Sequence, residues 1–256
     1  MSSRLVVLGT CGAWPEPGRA CSGYLLEHAG SRIAIDLGYG TLPRLLRELD
    51  SAAAEGLDAV IVSHRHPDHM LDLHGLFRAR SFGAPEAPPL PLFTPEGIVE
   101  RLKALEEDDG SKVDGVFDWR PLPAPGFDLG PWRVESRTLP HSVPSVGVRL
   151  TAGNLTVAYT GDTGYVEELV DLGRDADLFV VEATDQHQQE PDEEESETHL
   201  TAQQAGVVAQ RAGARRLLLT HFWPGNDREL SRHAAGEAFA GEVLLADEGL
   251  EVVLSS

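Results

Sequence analysis

The chain of 256 residues carries 21 Lys and Arg against 41 Asp and Glu, a formal net charge of −20, and 41% of it is hydrophobic. That is enough apolar material for a sizeable core, yet no apolar run approaches the roughly 20 residues that cross a bilayer. So acidic a surface repels nucleic acid and anionic membranes over about a Debye length, and no Lys/Arg cluster longer than the pair in "GARRLLL" offsets it.

The elements follow in chain order. Residues 4–8, 22–27 and 32–36 are expected strands, and 42–49 a helix from its Leu spacing. "LDAVIVSH" reads as a short apolar strand ending at Ser63, so His64 emerges at a strand end. "LDLHGLFRARSF" resumes a helical pattern. In "PLPLFTPEGIVERLKALEE" a strand leads to Thr94 as a helix N-cap, with Pro95 at the first helical position. The Pro-rich stretches 84–91 and 121–125 read as surface loops. Residues 132–139, 145–150 and 155–159 read as strands, with Gly153-Asn154 a hairpin turn. "ADLFVVEA" is a buried strand, and 188–197, "QQEPDEEESE", an acidic loop or lid. "THLTAQQAGVVAQRAGA" is a helix capped by Thr198 or Thr201 and stopped at Gly213; "RRLLLTH" is a strand ending at a histidine. Both halves alternate strands and helices with polar residues at strand ends, and no low-complexity linker divides them. The expectation is one α/β domain over 1–256, an αββα sandwich. Cys11 and Cys21 are too few for a disulfide framework, and "MSSRLVVLGTCG" runs straight into a strand without a signal peptide; a reduced, cytoplasmic chain is expected.

"SHRHPDHMLDLH" holds four of the ten histidines. His64, His66 and His69, with Asp68 among them, match neither a helix face nor one face of a strand. A loop leaving a strand can turn them inward together. Imidazole and carboxylate suit a borderline metal such as zinc, and so many donors within six residues serve two adjacent ions better than one. Further donors, His141, Asp162 and His221, each follow an apolar strand. His28, His74, His187 and His233 read as structural or merely exposed.

"SHRHPDH", "PHSVPSVGVRL", "AYTGDTG" and "LLLTHFWP" resemble, in order, the metal motifs of the metallo-β-lactamase superfamily, and the resemblance covers nearly the whole chain. More narrowly, "VVEAT" is similar to the His-Glu-Ala-Thr motif of the ribonuclease Z branch, with Val181 in place of the His, and "HLTAQQAG" to its downstream His-Ser-Thr motif. The resemblance implies the metallo-β-lactamase fold and two divalent ions, zinc first with Mn2+ or Fe2+ as alternatives. It assigns His64, His66 and His141 to one ion, Asp68, His69 and His221 to the other, and Asp162 to both. His199 would be an active-site residue that is not a ligand, and Asp36 a support.

Two such ions make water a nucleophile at neutral pH and neutralise charge building on a phosphoryl or carbonyl oxygen. Asp68 would then accept the water's proton, His199 protonate the leaving oxygen, and Glu182 orient His199. The plainer role for His199 is a helix cap. In the ribonuclease Z branch an arm that clamps tRNA lies between the ligands matching His141 and Asp162; here only residues 142–161 fill that interval. "SGYLL", "SHRHPDHMLDLHGLF", "GDTG" and "LLLTH" resemble instead an arm-less actinobacterial group of atypical cyclic-nucleotide phosphodiesterases. A small phosphodiester such as a 3′,5′-cyclic nucleotide is the expected substrate. Three alternatives stand: a tRNA 3′-processing endonuclease, a lactone, ester or lactam hydrolase, and a metal-holding partner protein. No membrane or long nucleic acid is expected as a partner, and a homodimer stays open.

Overall fold

The computed structural model describes residues 3–107, 110–184 and 197–255. One sheet holds β1 (Ser3–Gly9), β2 (Gly23–His28), β3 (Ser31–Leu37), β4 (Ala59–Ile61), β5 (Leu90–Thr94) and β6 (Phe117–Pro121), with the last strand, β14 (Glu251–Leu254), on the free side of β1. The other runs β13 (Glu242–Leu245), β12 (Arg216–Thr220), β11 (Leu178–Glu182), β10 (Leu155–Tyr159), β9 (Ser145–Ala152), β8 (Trp132–Leu139) and β7 (Phe127–Leu129). Each sheet mixes parallel and antiparallel pairs.

The strand period of two assigns side chains to layers. Leu5 and Val7 of β1 join Ile33, Ile35, Val148, Val157, Val180 and Leu218 in the core between the sheets. Their neighbours Val6 and Leu8 face outward, against α1 (Leu42–Leu49), α3 (Asp72–Gly83) and α4 (Ile98–Lys103), through Leu45, Leu73, Phe77 and Ile98. On the far side Phe179, Val181, Leu217 and Leu219 meet α6 (Glu168–Gly173), α7 (Ala202–Ala212) and α8 (Arg228–Ala238). The result is the expected αββα sandwich, two mixed sheets covered by helices. Full burial of each such aliphatic side chain contributes about 1.5–3 kcal/mol.

Two expectations need correction. Thr94 does not cap a helix: it is the buried last residue of β5, and its hydroxyl donates to the Pro95 carbonyl at 2.8 Å. Gly97, at φ 90°, turns the chain instead, and α4 starts at Ile98. A left-handed residue is natural for Gly and costly for the β-branched or bulky residues around it. The Pro-rich stretches also differ from simple loops, for Leu90 and Pro91 belong to β5, Pro121 ends β6, and Leu122 is buried. The Gly153-Asn154 turn does join β9 to β10, with Ala152 opposite Leu155. Thr201 rather than Thr198 caps α7, in a reciprocal capping box with Gln204, and Gly213 ends the helix at φ 70°. Cys11 and Cys21 are free and buried. Residues 188–196 of the acidic stretch lie outside the described residues; Glu197 is exposed.

Candidate metal centre

Every predicted site residue comes from one end of the sandwich, where strands of both sheets finish. β4 delivers His64, β10 delivers Asp162, β11 ends in Glu182 and β12 delivers His221, while His141 precedes β9. Backbone hydrogen bonds stitch the sheets together here. Val146 N–H donates to the Ser63 carbonyl at 3.0 Å, and Gly12 N–H donates to the Phe222 carbonyl at 2.9 Å. Between His64 and His69 the chain is more ordered than a loop: α2 (Pro67–Met70) forms one helical turn with His66 at its N-cap and Pro67 opening it. That turn brings Asp68 and His69 inward. It lies so close to β3 that a Cβ on Gly38 would sit 1.9 Å from the Asp68 carbonyl oxygen, and only glycine fits there.

Seven side chains meet in two nests. His64, His66, His141 and Asp162 form one; Asp68, His69, His221 and Asp162 form the other, and in each the donor atoms lie within 4.8 Å of one another. In the first, His66 Nδ1 is 3.0 Å from His64 Nε2 and 3.1 Å from His141 Nε2. In the second, His69 Nε2 and His221 Nε2 are 3.0 Å apart, and Asp68 Oδ2 is 3.1 Å from His221 Nε2. An ion with bonds of about 2.0–2.1 Å to nitrogen holds tetrahedral neighbours roughly 3.3 Å apart. The two oxygens of Asp162 divide between the nests. Oδ1 is 3.2 Å from His69 Nε2 and 3.4 Å from His221 Nε2, whereas Oδ2 is 3.7 Å from His64 Nε2 and 4.0 Å from His141 Nε2. Asp162 Oδ1 is buried with no hydrogen-bond donor, and a buried carboxylate oxygen seldom goes without a partner unless an ion supplies it. The residues therefore fit a dinuclear metal site.

The electrostatics point the same way. Burial, reinforced by neighbouring imidazoles, holds His64 well below the usual histidine range, and burial lowers His66 and His141 as well. These rings are neutral at pH 7 and offer lone pairs. Against its burial, His69 is raised well above the ordinary value by Asp162, Asp68 and Asp36. Three carboxylates around one imidazole call for positive charge at that point. Asp162 and Asp68, although buried, are held well below the usual carboxylate range by His221 and His69, which flank both.

A second layer fixes these groups. Asp36, at φ 56°, accepts from the Ser63 N–H at 2.7 Å, from the Ser63 hydroxyl at 2.8 Å and from the Tyr159 hydroxyl at 2.7 Å, and its Oδ2 lies 2.7 Å from His69 Nδ1. His69 Nε2 is thereby aimed at the nest. His221, at φ 54°, has its Nδ1 2.6 Å from the Thr184 hydroxyl, and Gly12 packs so tightly on the ring that a Cβ would approach Cε1 to 2.8 Å. Ala13 N–H donates to Asp68 Oδ2 at 2.7 Å.

His199 stands beside both nests. Its ring centroid is 5.2 Å from that of His141 and 6.1 Å from that of His221. Its Nδ1 lies 3.3 Å from both oxygens of Glu182. Glu182 is fully buried, accepts from the Thr163 N–H at 2.6 Å, and takes a further hydrogen bond from the Thr184 hydroxyl. Burial works against a charge on His199, but Glu182 overcomes it and raises the group to about 9, so the ring is protonated at neutral pH. The helix-cap alternative does not hold here, because Thr201 caps α7.

All the sequence-predicted site residues thus converge. His28 contacts Ser3 and Trp132, His74 pairs with Glu106 and His233 with Glu237, all apart from the nests, while His187 lies outside the described residues. Sequence reasoning missed Ala13, Ser63, Tyr159, Thr163 and Thr184. A backbone N–H and common hydroxyls carry no compositional signal; only position could have marked them, as for Ser63 directly before His64 and Thr184 two residues after Glu182.

Fold and site define a class, and comparison with known proteins identifies it. Residues 31–222 match the family model described as a beta-lactamase superfamily domain. The chain belongs to the metallo-β-lactamase superfamily of metallo-hydrolases. It is 36% identical to an uncharacterized protein of Mycobacterium tuberculosis, over 98% of this chain and 93% of that one. Identity to the ribonuclease Z of Kineococcus radiotolerans is 32%, covering 87% and 84%. Among solved structures, the metallo-β-lactamase fold protein YhfI from Bacillus subtilis superposes with a TM-score of 0.86 at 29% identity, covering 98% and 99% of the two chains. The short form of human tRNase Z superposes with a TM-score of 0.78 at 26% identity, covering 99% and 100%.

Proposed function

We propose that the protein is a dinuclear-metal phosphodiesterase acting on a small phosphodiester, a 3′,5′-cyclic nucleotide being the leading candidate. One observation carries the dinuclear reading: the two oxygens of a single buried carboxylate, Asp162, face two separate nests of imidazole and carboxylate donors. His64, His66 and His141 would hold one ion, Asp68, His69 and His221 the other, and Asp162 both. Such ions, zinc first among the candidates, supply a water nucleophile at neutral pH and neutralise charge on the phosphoryl oxygens. Asp68, fixed by the Ala13 N–H, accepts a hydrogen bond from the attacking water; its depressed pKa makes it an orienting acceptor more than a lasting proton store. His199, cationic and steadied by Glu182 through Nδ1, keeps Nε2 for the leaving oxygen and delivers the proton there. Asp36 holds the His69 ring in its ligating orientation. Asp36→Ala is expected to weaken metal binding about 10–100-fold, as losses in the supporting layer of metal sites do. Metal competition against a chromogenic chelator measures this, and unchanged affinity would remove Asp36 from the account.

The preference for a small diester rests on charge and shape. The net charge of −20 opposes a long polyanion. The interval that carries the tRNA-clamping arm in the ribonuclease Z branch is occupied here by the entry to β9 and the short β9–β10 hairpin. The relatives named ribonuclease Z keep that enzyme as the second reading, and a carbonyl substrate as the third. A panel of cAMP, bis(p-nitrophenyl) phosphate, pre-tRNA, a lactone and a β-lactam separates them. The diesters are expected to turn over, and pre-tRNA to be processed at least about 100-fold less efficiently. Pre-tRNA turnover matching the small diesters would replace this reading with the endonuclease, and selective lactone or β-lactam turnover with a carbonyl hydrolase.

A further inference from the structure

Four tryptophans occur in the chain. Trp132 is buried between the sheets, and Trp119 lies on the edge strand β6. The other two, Trp14 and Trp223, meet edge to face, with ring centroids 5.1 Å apart and planes at 82°. Trp14 is 46% exposed and Trp223 half-buried. In a T-shaped pair one edge covers one face, so aromatic surface remains open to solvent.

The pair is carried by two loops that also supply residues of the candidate metal centre. Trp14 directly follows Ala13, whose N–H donates to Asp68. Trp223 comes two residues after His221. The loops carrying them are tied together by the bonds from Gly12 N–H to the Phe222 carbonyl and from Phe222 N–H to the Thr10 carbonyl, both 2.9 Å. Each loop also holds a non-glycine residue at positive φ close to its tryptophan, Ala13 at 58° and His221 at 54°. Such conformations persist only where the surroundings over-determine them, and they cluster at ligand-handling sites. The two loops therefore hold a preset aromatic surface on the same segments that serve the polar centre. Around the metal nests the described side chains are imidazole, carboxylate and hydroxyl, and would recognise the phosphoryl group alone.

We propose that Trp14 and Trp223 form the platform on which the planar base of a nucleotide substrate stacks, so that they set the preference of this centre for nucleotides over base-free phosphate esters. The inference rests on the phosphodiesterase reading and adds the part of the substrate that lies beyond the phosphorus. Stacking of this kind tolerates any base, because every base presents a π face, so little discrimination between adenine and guanine is expected.

The test compares two ligands that share a phosphate and a ribose. AMP and ribose 5-phosphate are titrated into the metal-loaded protein by calorimetry. The wild type is expected to bind AMP about 10–100-fold more tightly, the range that base–aromatic stacking supplies. In Trp14→Ala/Trp223→Ala the two affinities should become equal. Trp14→Phe/Trp223→Phe, which keeps two rings in the same places, should restore part of the difference and guards against a merely misfolded Ala variant. Equal affinities in the wild type, or an AMP preference that survives in the Ala variant with its metal content intact, would overturn the proposal. Its failure is separable from that of the reading beneath it. Diester turnover without an AMP preference sinks the platform alone, whereas an AMP preference that depends on the tryptophans, without diester turnover, sinks the phosphodiesterase and leaves a nucleotide site.

Discussion

Asp162→Ala is expected to strip both ions from the protein and abolish hydrolysis of every substrate. The side chain is 2% exposed, and its two oxygens face different nests, so its loss removes a donor from each at once. A residue that only supports a ligand costs about 10–100-fold in metal affinity. A carboxylate shared by both nests should exceed that on each side. Asp162→Asn keeps the shape and one acceptor oxygen but loses the charge that offsets the surrounding imidazoles, and should fall between wild type and Ala. Metal per chain after dialysis, measured by mass spectrometry beside a circular dichroism spectrum, checks this. Full metal content in folded Asp162→Ala would show that the two nests do not depend on this carboxylate.

His199→Ala should behave in the opposite manner, keeping its metals and losing kcat by about 10²–10⁴-fold. His199 belongs to neither four-residue nest; it groups instead with Glu182 and His221, and its Nδ1 lies 3.3 Å from the Glu182 carboxylate. As a proton donor it matters most when the leaving oxygen is a poor leaving group. The loss should therefore be large on a cyclic nucleotide, whose leaving group is an alkoxide, and small on bis(p-nitrophenyl) phosphate, whose phenolate needs little protonation. Glu182→Gln should reproduce part of the pattern. It removes the charge that raises His199 while leaving an oxygen for the Thr163 N–H. Rates for both leaving-group types decide the matter. Equal losses on the two substrates would assign His199 a positioning role, and no loss on the cyclic nucleotide would remove it from the chemistry.

The seven ligand candidates and His199 were legible because their chemistry is rare and their positions are tied to strand ends. A run such as "HRHPDH" after "AVIV" has few explanations. The strands of the central layers were equally plain: β1 carries an unbroken Leu-Val-Val-Leu run, and β9 and β10 place apolar residues at alternate positions. What escaped notice had weaker signatures. α8 buries Ser231, Ala234 and Ala235, and its approach to α7 is so close that a Cβ on Gly206 would meet the Ala235 carbonyl at 2.4 Å. Helices that pack through small residues show no apolar stripe. The edge strands β6 and β13 are largely or partly exposed and lack the expected alternation. α2 is a single turn, too short for any periodicity, and it is held by Gly38 and the Ser22 N–H from distant parts of the chain. The supporting contacts of Ala13, Ser63 and Thr184 are long-range as well. They form only once strands and loops far apart in the chain lie side by side, which is why local sequence could not announce them.

The account is tested most directly by a metal titration of diester turnover. Chelator-stripped protein would receive increasing equivalents of a divalent metal, zinc first and then manganese or iron, with hydrolysis of 3′,5′-cAMP followed at each step. No turnover is expected without metal, and activity should rise to a plateau at two equivalents per chain. A plateau at one equivalent, hydrolysis by the stripped protein, or no hydrolysis of the cyclic diester with any of the three metals would contradict it.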